Sequence, residues 1–409
     1  MRRLTSRVIR KVILLILSVL TVATLLRSTT QTVASVQPSA VLVDLPSRVG
    51  TTAVHIKAVS TSCLTAECFR AQGNRLARAF PDQPKASWCI TERSEENTSF
   101  RDGKWQGLLL VKVPKCASST AAGLTLRIAN RTHCAAQFEH RQGIHYQQRH
   151  AQSFLFATIR HPAARAFSMA YFFIIAPLNM TPSDDNVITA LNRRRGGKTK
   201  GKGGFMLDYI ALTKIPARSA WTPDQPKQVR NETAVTTVVR EIVQSYDFLL
   251  VVERMDESLT ALAMMTGLSL GDVLSTNSKV AGQYLVSTTG KHKGQCIQQV
   301  KGRMSVGVQR YLESSMWKAM NYGDYVLYEA ANRSLDLTID RLGRDKFNKQ
   351  LVEFQRLKSQ ALQVCGDHLG LGCTSNGVPN PDKCYLRDFG CGYQCVDAML
   401  RDDSSSLLL

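Results

Sequence analysis

The sequence predicts an α/β domain built on a central parallel sheet flanked by helices. Three observations carry the prediction. Residues 107–113 and 153–159 are short apolar runs of the kind that a parallel sheet buries on both faces. Each run ends in a break, Pro114 in the first and His161-Pro162 in the second, and a helix-like pattern follows. A third apolar run, 246–252, precedes another helical stretch. Strands and helices alternating at this spacing indicate parallel α/β architecture.

The first strand leads into Pro114-Lys115-Cys116-Ala117-Ser118-Ser119-Thr120. Ser118 or Ser119 is expected to cap a helix that continues through Leu124, Leu126 and Ile128. After the second strand, Arg160 is followed by a helix with Pro162 in its first turn, running to about Phe173. The third strand is followed by residues 256–265, read as a helix ending at Gly267. Its Met264-Met265 pair reads as core packing. Residues 308–363 are mostly helical in pattern.

At 409 residues the chain can bury a full core, with one large domain plus appendages. Its net charge of +20 points to an anionic partner: nucleic acid, membrane surface, nucleotide or acidic polysaccharide. Charge alone does not choose among them. The N-terminus narrows the choice. Arg2, Arg3, Arg7, Arg10 and Lys11 precede an uncharged run over 12–26, closed by Arg27. Positive charge before an apolar run sets a cytoplasmic N-terminus. As a helix the run reaches about 22 Å, which suits a thin bilayer. A retained anchor is favoured over a cleaved signal peptide, the alternative that small residues at Ala34 and Ala40 keep open.

Cysteine usage agrees with export. There are 11 Cys, five of them between Cys365 and Cys395, and N-x-S/T sequons stand at Asn97, Asn130, Asn179, Asn231 and Asn332. Together these fit an oxidising, glycosylating compartment and argue against a nucleic-acid partner. An odd count leaves a free thiol or an intermolecular bridge, and Cys116 is the candidate for the free one. The predicted organisation is a cytoplasmic tail (1–11), a signal-anchor helix (12–26) and a stem with a Cys-containing lead-in (27–103). The main α/β domain (104–363) and a disulfide-rich C-terminal tail (364–409) follow. Zinc is the alternative for the tail, but no clean pair of C-x-x-C units occurs. The basic, Gly-rich segment 193–204 is either a solvated charge run or a contact for an anionic acceptor.

A strand, a tight loop and a helix N-terminus aim backbone N–H groups and the positive end of a helix dipole at one point. Lys115 adds a charge, and Ser118, Ser119 and Thr120 add hydroxyl donors. The loop is not a Walker A motif, and no acidic pair for Mg²⁺ is evident. Arg160 can fork onto a second phosphate, with Ser168 eight residues on. The plainer readings are a strand–helix junction with a surface lysine, a structural ion pair at Arg160 and a helix-face serine at Ser168.

The pair resembles the 5′-phosphosulfate and 3′-phosphate segments of sulfotransferases that use 3′-phosphoadenosine-5′-phosphosulfate (PAPS). More narrowly, the chain is similar to membrane-anchored Golgi carbohydrate sulfotransferases of the galactose-3-O and heparan-sulfate 2-O type. Their loop often reads Lys-Thr-Ala-Ser-Ser-Thr, and here Cys116 stands in place of the Thr. The segment 248–273, with Glu253-Arg-Met-Asp-Glu-Ser-Leu259, and residues 324–329 resemble further parts of the galactose-3-O group. The similarity runs patchily from about 107 to 340.

The resemblance implies a P-loop-like sulfotransferase fold, PAPS as co-substrate with no metal, and a glycan or glycolipid acceptor. It implies a single-pass type II Golgi membrane protein with a lumenal catalytic domain. Lys115 would stabilise the leaving oxygen, and Lys115, Cys116, Ala117, Ser118, Ser119 and Thr120 would ring the phosphosulfate. Arg160 and Ser168 would hold the 3′-phosphate. A His is the natural base for a sugar hydroxyl near neutral pH. His140 stands twenty residues before Arg160 and fits the family spacing best, with His145 second. Glu139 could orient His140 or replace it. Solvated loop histidines are the plain alternative. A lumenal nucleotide-dependent kinase or hydrolase and a non-enzymatic polyanion-binding protein are the competing functions.

Overall fold

Four parallel strands form the central sheet, and the two phosphate-loop candidates leave its middle pair. A computed structural model describes residues 64–80, 89, 100–101, 103–176, 178, 180–192, 204–213, 232–275, 284–286, 296–298, 302–366, 378 and 392–406. The run 12–26, the sequons at Asn97, Asn179 and Asn231, the segment 193–203 and most of the Cys-rich tail lie outside these residues. Among the described residues no helix is long and apolar enough to cross a membrane.

Among the described residues helix α1 (Ala66–Leu76) comes first, its N-terminus capped by Thr65. A two-residue hairpin pairs β1 (Phe100–Arg101) with β2 (Lys104–Trp105). Strand β3 (Leu108–Val111) leads into α2 (Ser118–Thr132) and β4 (Ala136–Gln137). A 3-10 turn, Gly143–Tyr146, returns the chain to β5 (Phe154–Ile159), which feeds α3 (Pro162–Ala170) and a π-helical continuation, Tyr171–Ile175. Helices α4 (Asp184–Asn192), α5 (Phe205–Ile210) and α6 (Glu232–Ser245) precede β6 (Phe248–Val251). Helix α7 (Met255–Thr266) follows, then an antiparallel pair, β7 (Tyr284–Val286) and β8 (Cys296–Gln298). The chain closes with α8 (Val306–Glu313), α9 (Ser315–Met320), α10 (Tyr322–Leu342), α11 (Arg344–Cys365) and α12 (Tyr393–Ser406).

The sheet order is β4-β3-β5-β6, all neighbours parallel. Every residue of β3, β5 and β6 is buried, which is why their sequence is continuously apolar rather than alternating. The chain leaves β3 toward β4 on one side and leaves β5 toward β6 on the other. Connections that diverge from two adjacent parallel strands open a crevice beyond the strands' carboxyl ends. That crevice lies between the β3–α2 loop and the β5–α3 turn.

The lead-in packs into the same core. Phe69, Leu76 and Phe80 are buried, and Phe69 stacks on Tyr325 of α10 with ring centroids 5.0 Å apart. Gly73 is required where α1 crosses α10, because a Cβ there would sit 2.5 Å from Glu329 Cβ and 2.7 Å from a backbone nitrogen. Cys89 is bonded to Cys134 just after α2, and Cys365 to Cys395, so α12 is tied to α11. The disulfide expected in the tail is therefore present, and Cys116 is a free, buried thiol.

Candidate active site

The β3–α2 loop is held in an unusual backbone conformation. Lys115 and Ala117 both adopt left-handed angles, with φ of 65° and 52°. For residues with a Cβ this costs about 1–2 kcal/mol each. Such strain persists where surrounding structure enforces it, and it clusters at ligand-binding sites. The enforcing group is Cys116 between them. It is 0% exposed, and its Sγ packs 3.6 Å from Met206 Sδ in α5. Burial pushes its thiol pKa up to about 12. With Cys116 turned inward, Lys115 and Ala117 are only part-buried.

Helix α2 starts one residue earlier than the serines suggest. Its N-cap is Ala117, which has no side-chain oxygen, and its first turn holds no acidic residue. The expected Ser118 or Ser119 cap is thus corrected: the left-handed turn at Ala117 already begins the helix. The positive end of a 15-residue helix opens toward the crevice, with Ser118, Ser119 and Thr120 in its first turn.

Arg160 reaches this loop from the adjacent strand. Its Nη1 donates to the Lys115 carbonyl at 3.1 Å. Among the described residues its buried Nε has no hydrogen-bond partner, and Glu253 Oε1 stands 4.0 Å away. Glu253, just beyond β6, also accepts the His161 backbone N–H at 3.1 Å. The Lys115 ammonium lies 3.6 Å from the centroid of Phe172, on the helical continuation of α3. The two motifs therefore meet between the loop and α3. Ser168 is half-buried on α3, roughly 9 Å along the axis from Pro162. It shares a helix stripe with Arg165, four residues after His161 and three before Ser168.

Sequence reasoning missed Arg165. It is 5% exposed, its guanidinium lies 4.4 Å from the Phe205 ring centroid, and Nε and Nη1 have no hydrogen-bond partner among the described residues. The signal available was its place in Arg160-His-Pro-x-x-Arg165, within one turn of Pro162. Lys112 was missed as well. It is 3% exposed, and burial lowers its pKa to about 8 against the opposing pull of Glu139.

His140 is exposed at the carboxyl end of the sheet, and its Nδ1 lies 3.0 Å from the Lys112 carbonyl. A carbonyl only accepts, so this contact places a proton on Nδ1. In the neutral ring Nε2 then carries the lone pair, the form a general base requires. His145 is brought elsewhere. It lines a hollow with Trp105 toward the start of β3, apart from the crevice. His161 caps α3 with its ring against Tyr325 and Tyr328, and burial lowers its pKa.

No protein family, curated protein or solved structure matches this chain. Among the described residues no group of three or more His, Cys, Asp or Glu is placed to hold a metal ion.

Proposed function

We propose that the chain transfers a sulfuryl group from PAPS to a sugar hydroxyl of a glycan, polysaccharide or glycolipid, on a P-loop-like sulfotransferase scaffold. The observation that carries this reading is the Arg160–Lys115 contact, which joins the two phosphate-binding candidates at one switch-point crevice. The donor set fits a doubly phosphorylated nucleotide. It offers a helix N-terminus with a non-polar N-cap and basic side chains from two strand ends.

In the proposed reaction the acceptor oxygen bonds to sulfur while the bond from sulfur to the 5′-phosphate oxygen breaks. His140 takes the hydroxyl proton on Nε2, a step worth typically 10²–10⁴-fold in rate. Lys115 and the α2 N-terminus hold the charge that develops on the leaving phosphate. Arg160 and Ser168 select the 3′-phosphate. Golgi residence, a type II anchor over 12–26 and a lumenal domain belong to the same proposal.

Glu253 favours a second reading. The sequence alone offers no carboxylate near the loop, and this one stands beside Arg160. It would serve a Mg²⁺-dependent phosphoryl transferase. The deciding experiment incubates the full chain with radiolabelled PAPS and a glycan panel in EDTA, and in parallel with γ-labelled ATP and Mg²⁺. Sulfate transfer in EDTA supports the first reading. Phosphate transfer from ATP with none from PAPS overturns it, and glycan binding without either transfer identifies a polyanion binder.

A further inference from the structure

The His145 hollow is built differently from the crevice. It measures about 350 Å³ and is lined by Phe100, Trp105, Ile144, His145, Gln147 and Gln148. Phe100 and Trp105 are cross-strand partners in the β1–β2 hairpin, their rings 4.8 Å apart and inclined at 56°. Trp105 is propped from behind by buried Tyr146, in edge contact at 5.4 Å. Phe100 is 49% exposed, and His145, Gln147 and Gln148 are exposed beside the rings. Arg141, the residue after His140, lays its guanidinium 5.0 Å from the Trp105 ring centroid. Arg141 thus borders the hollow through Trp105.

We infer that this hollow is a glycan-binding subsite that takes a pyranose unit of a neutral oligosaccharide. A pyranose presents an apolar face of C–H groups and a rim of hydroxyls. An aromatic ring covers the face, while carboxamides and an imidazole both donate to and accept from the rim. Pockets of this size, part aromatic with a few converging polar groups, suit small ligands. A flat nucleobase is favoured by aromatic platforms too. Here the two rings are inclined rather than parallel, which makes a corner for a puckered ring instead of a slot for a planar one. The subsite binds glycan whether or not sulfuryl transfer occurs at the crevice.

The test is calorimetric titration of the full chain with β-1,4-linked galacto-hexaose and gluco-hexaose, and with oligo-dT as the competing class. Trp105→Ala weakens hexaose binding by about tenfold or more, while Trp105→Phe stays within about threefold. The Gln147→Ala/Gln148→Ala double variant changes only exposed residues and gives an independent loss. Lys115→Ala leaves hexaose affinity unchanged even if all transfer is lost, so failure of the subsite and failure of the proposed reaction read out separately. Absence of binding by both hexaoses overturns the inference. So does hexaose binding that Trp105→Ala and the double glutamine variant leave unaltered, or saturation by oligo-dT alone.

Discussion

The Arg160 guanidinium donates to the Lys115 carbonyl across the gap between β5 and β3, 3.1 Å from nitrogen to oxygen. One arginine thus supports the loop and offers its charge to the same space. Arg160→Ala is expected to weaken binding of 3′-phosphoadenosine-5′-phosphate by about 10–100-fold, the scale of a lost charged hydrogen bond. Binding of AMP, which lacks the 3′-phosphate, should fall far less. Arg160→Lys restores charge without the fork and should recover only part. Competition binding measures both, and an equal loss for the two nucleotides would remove Arg160 from the 3′-phosphate.

Lys112 makes stability depend on pH in a definite direction. Its pKa falls from 10.5 to about 8 on folding, chiefly through burial. Below about pH 8 folded and unfolded chains both hold the proton, and the cost of the buried charge is complete. Between 8 and 10.5 the unfolded chain holds a proton that the folded chain has released, so this group's contribution to stability rises with pH. Lys112→Met should exceed the wild type below pH 8 by on the order of 3 kcal/mol, and the gain should shrink toward pH 10.5. Urea unfolding at several pH values tests this. A difference that does not vary with pH would rule out the titration.

Much of the scaffold was legible in the sequence. Apolar runs at 107–113, 153–159 and 246–252 contain β3, β5 and β6. Gly267 ends α7 in a left-handed cap, as its position implies. Strand β4 was not legible, because two residues carry no periodicity and owe their conformation to β3 beside them. The Ala117 cap was hidden for a related reason. Serine at a helix start is the stronger local signal, and tertiary anchoring of Cys116 overrides it. At the site, chain order gave Lys115 and Arg160. Arg165, Lys112 and the separation of His145 from His140 depend on burial and on where the returning chain crosses the sheet, which spacing does not encode.

Cys116 should be chemically silent in the folded protein. A thiol raised to about 12 and fully buried is scarcely ionised at pH 8, and the thiolate is the reactive form. Peptide mapping after iodoacetamide at pH 8 should find Cys116 unmodified in native protein and alkylated in guanidinium chloride. Native alkylation would mean that the loop opens.

Arg127 is a buried hub on α2. It is 4% exposed, donates to the carbonyls of Gly271 and Leu274, and binds Asp397 of α12 through Nε at 3.0 Å and Nη2 at 2.6 Å. Arg127→Met leaves buried carbonyls unpaired and Asp397 to Arg131 alone, 3.3 Å away, and should cost about 1–3 kcal/mol in chemical denaturation. A cost below about 1 kcal/mol would show that water replaces the guanidinium. Asp397→Asn, at a more exposed partner, should cost less.

The bond between Cys89 and Cys134 clamps the far end of the helix whose near end faces the crevice. Closing that 45-residue loop limits the unfolded chain by about 4 kcal/mol in the entropic account. Protein produced in a reducing cytosol would lack this tether and start with a slacker β3–α2 loop. Recombinant material from an oxidising host is thus the appropriate starting point for every assay above, and a preparation inert after cytosolic expression would not test the proposed activity.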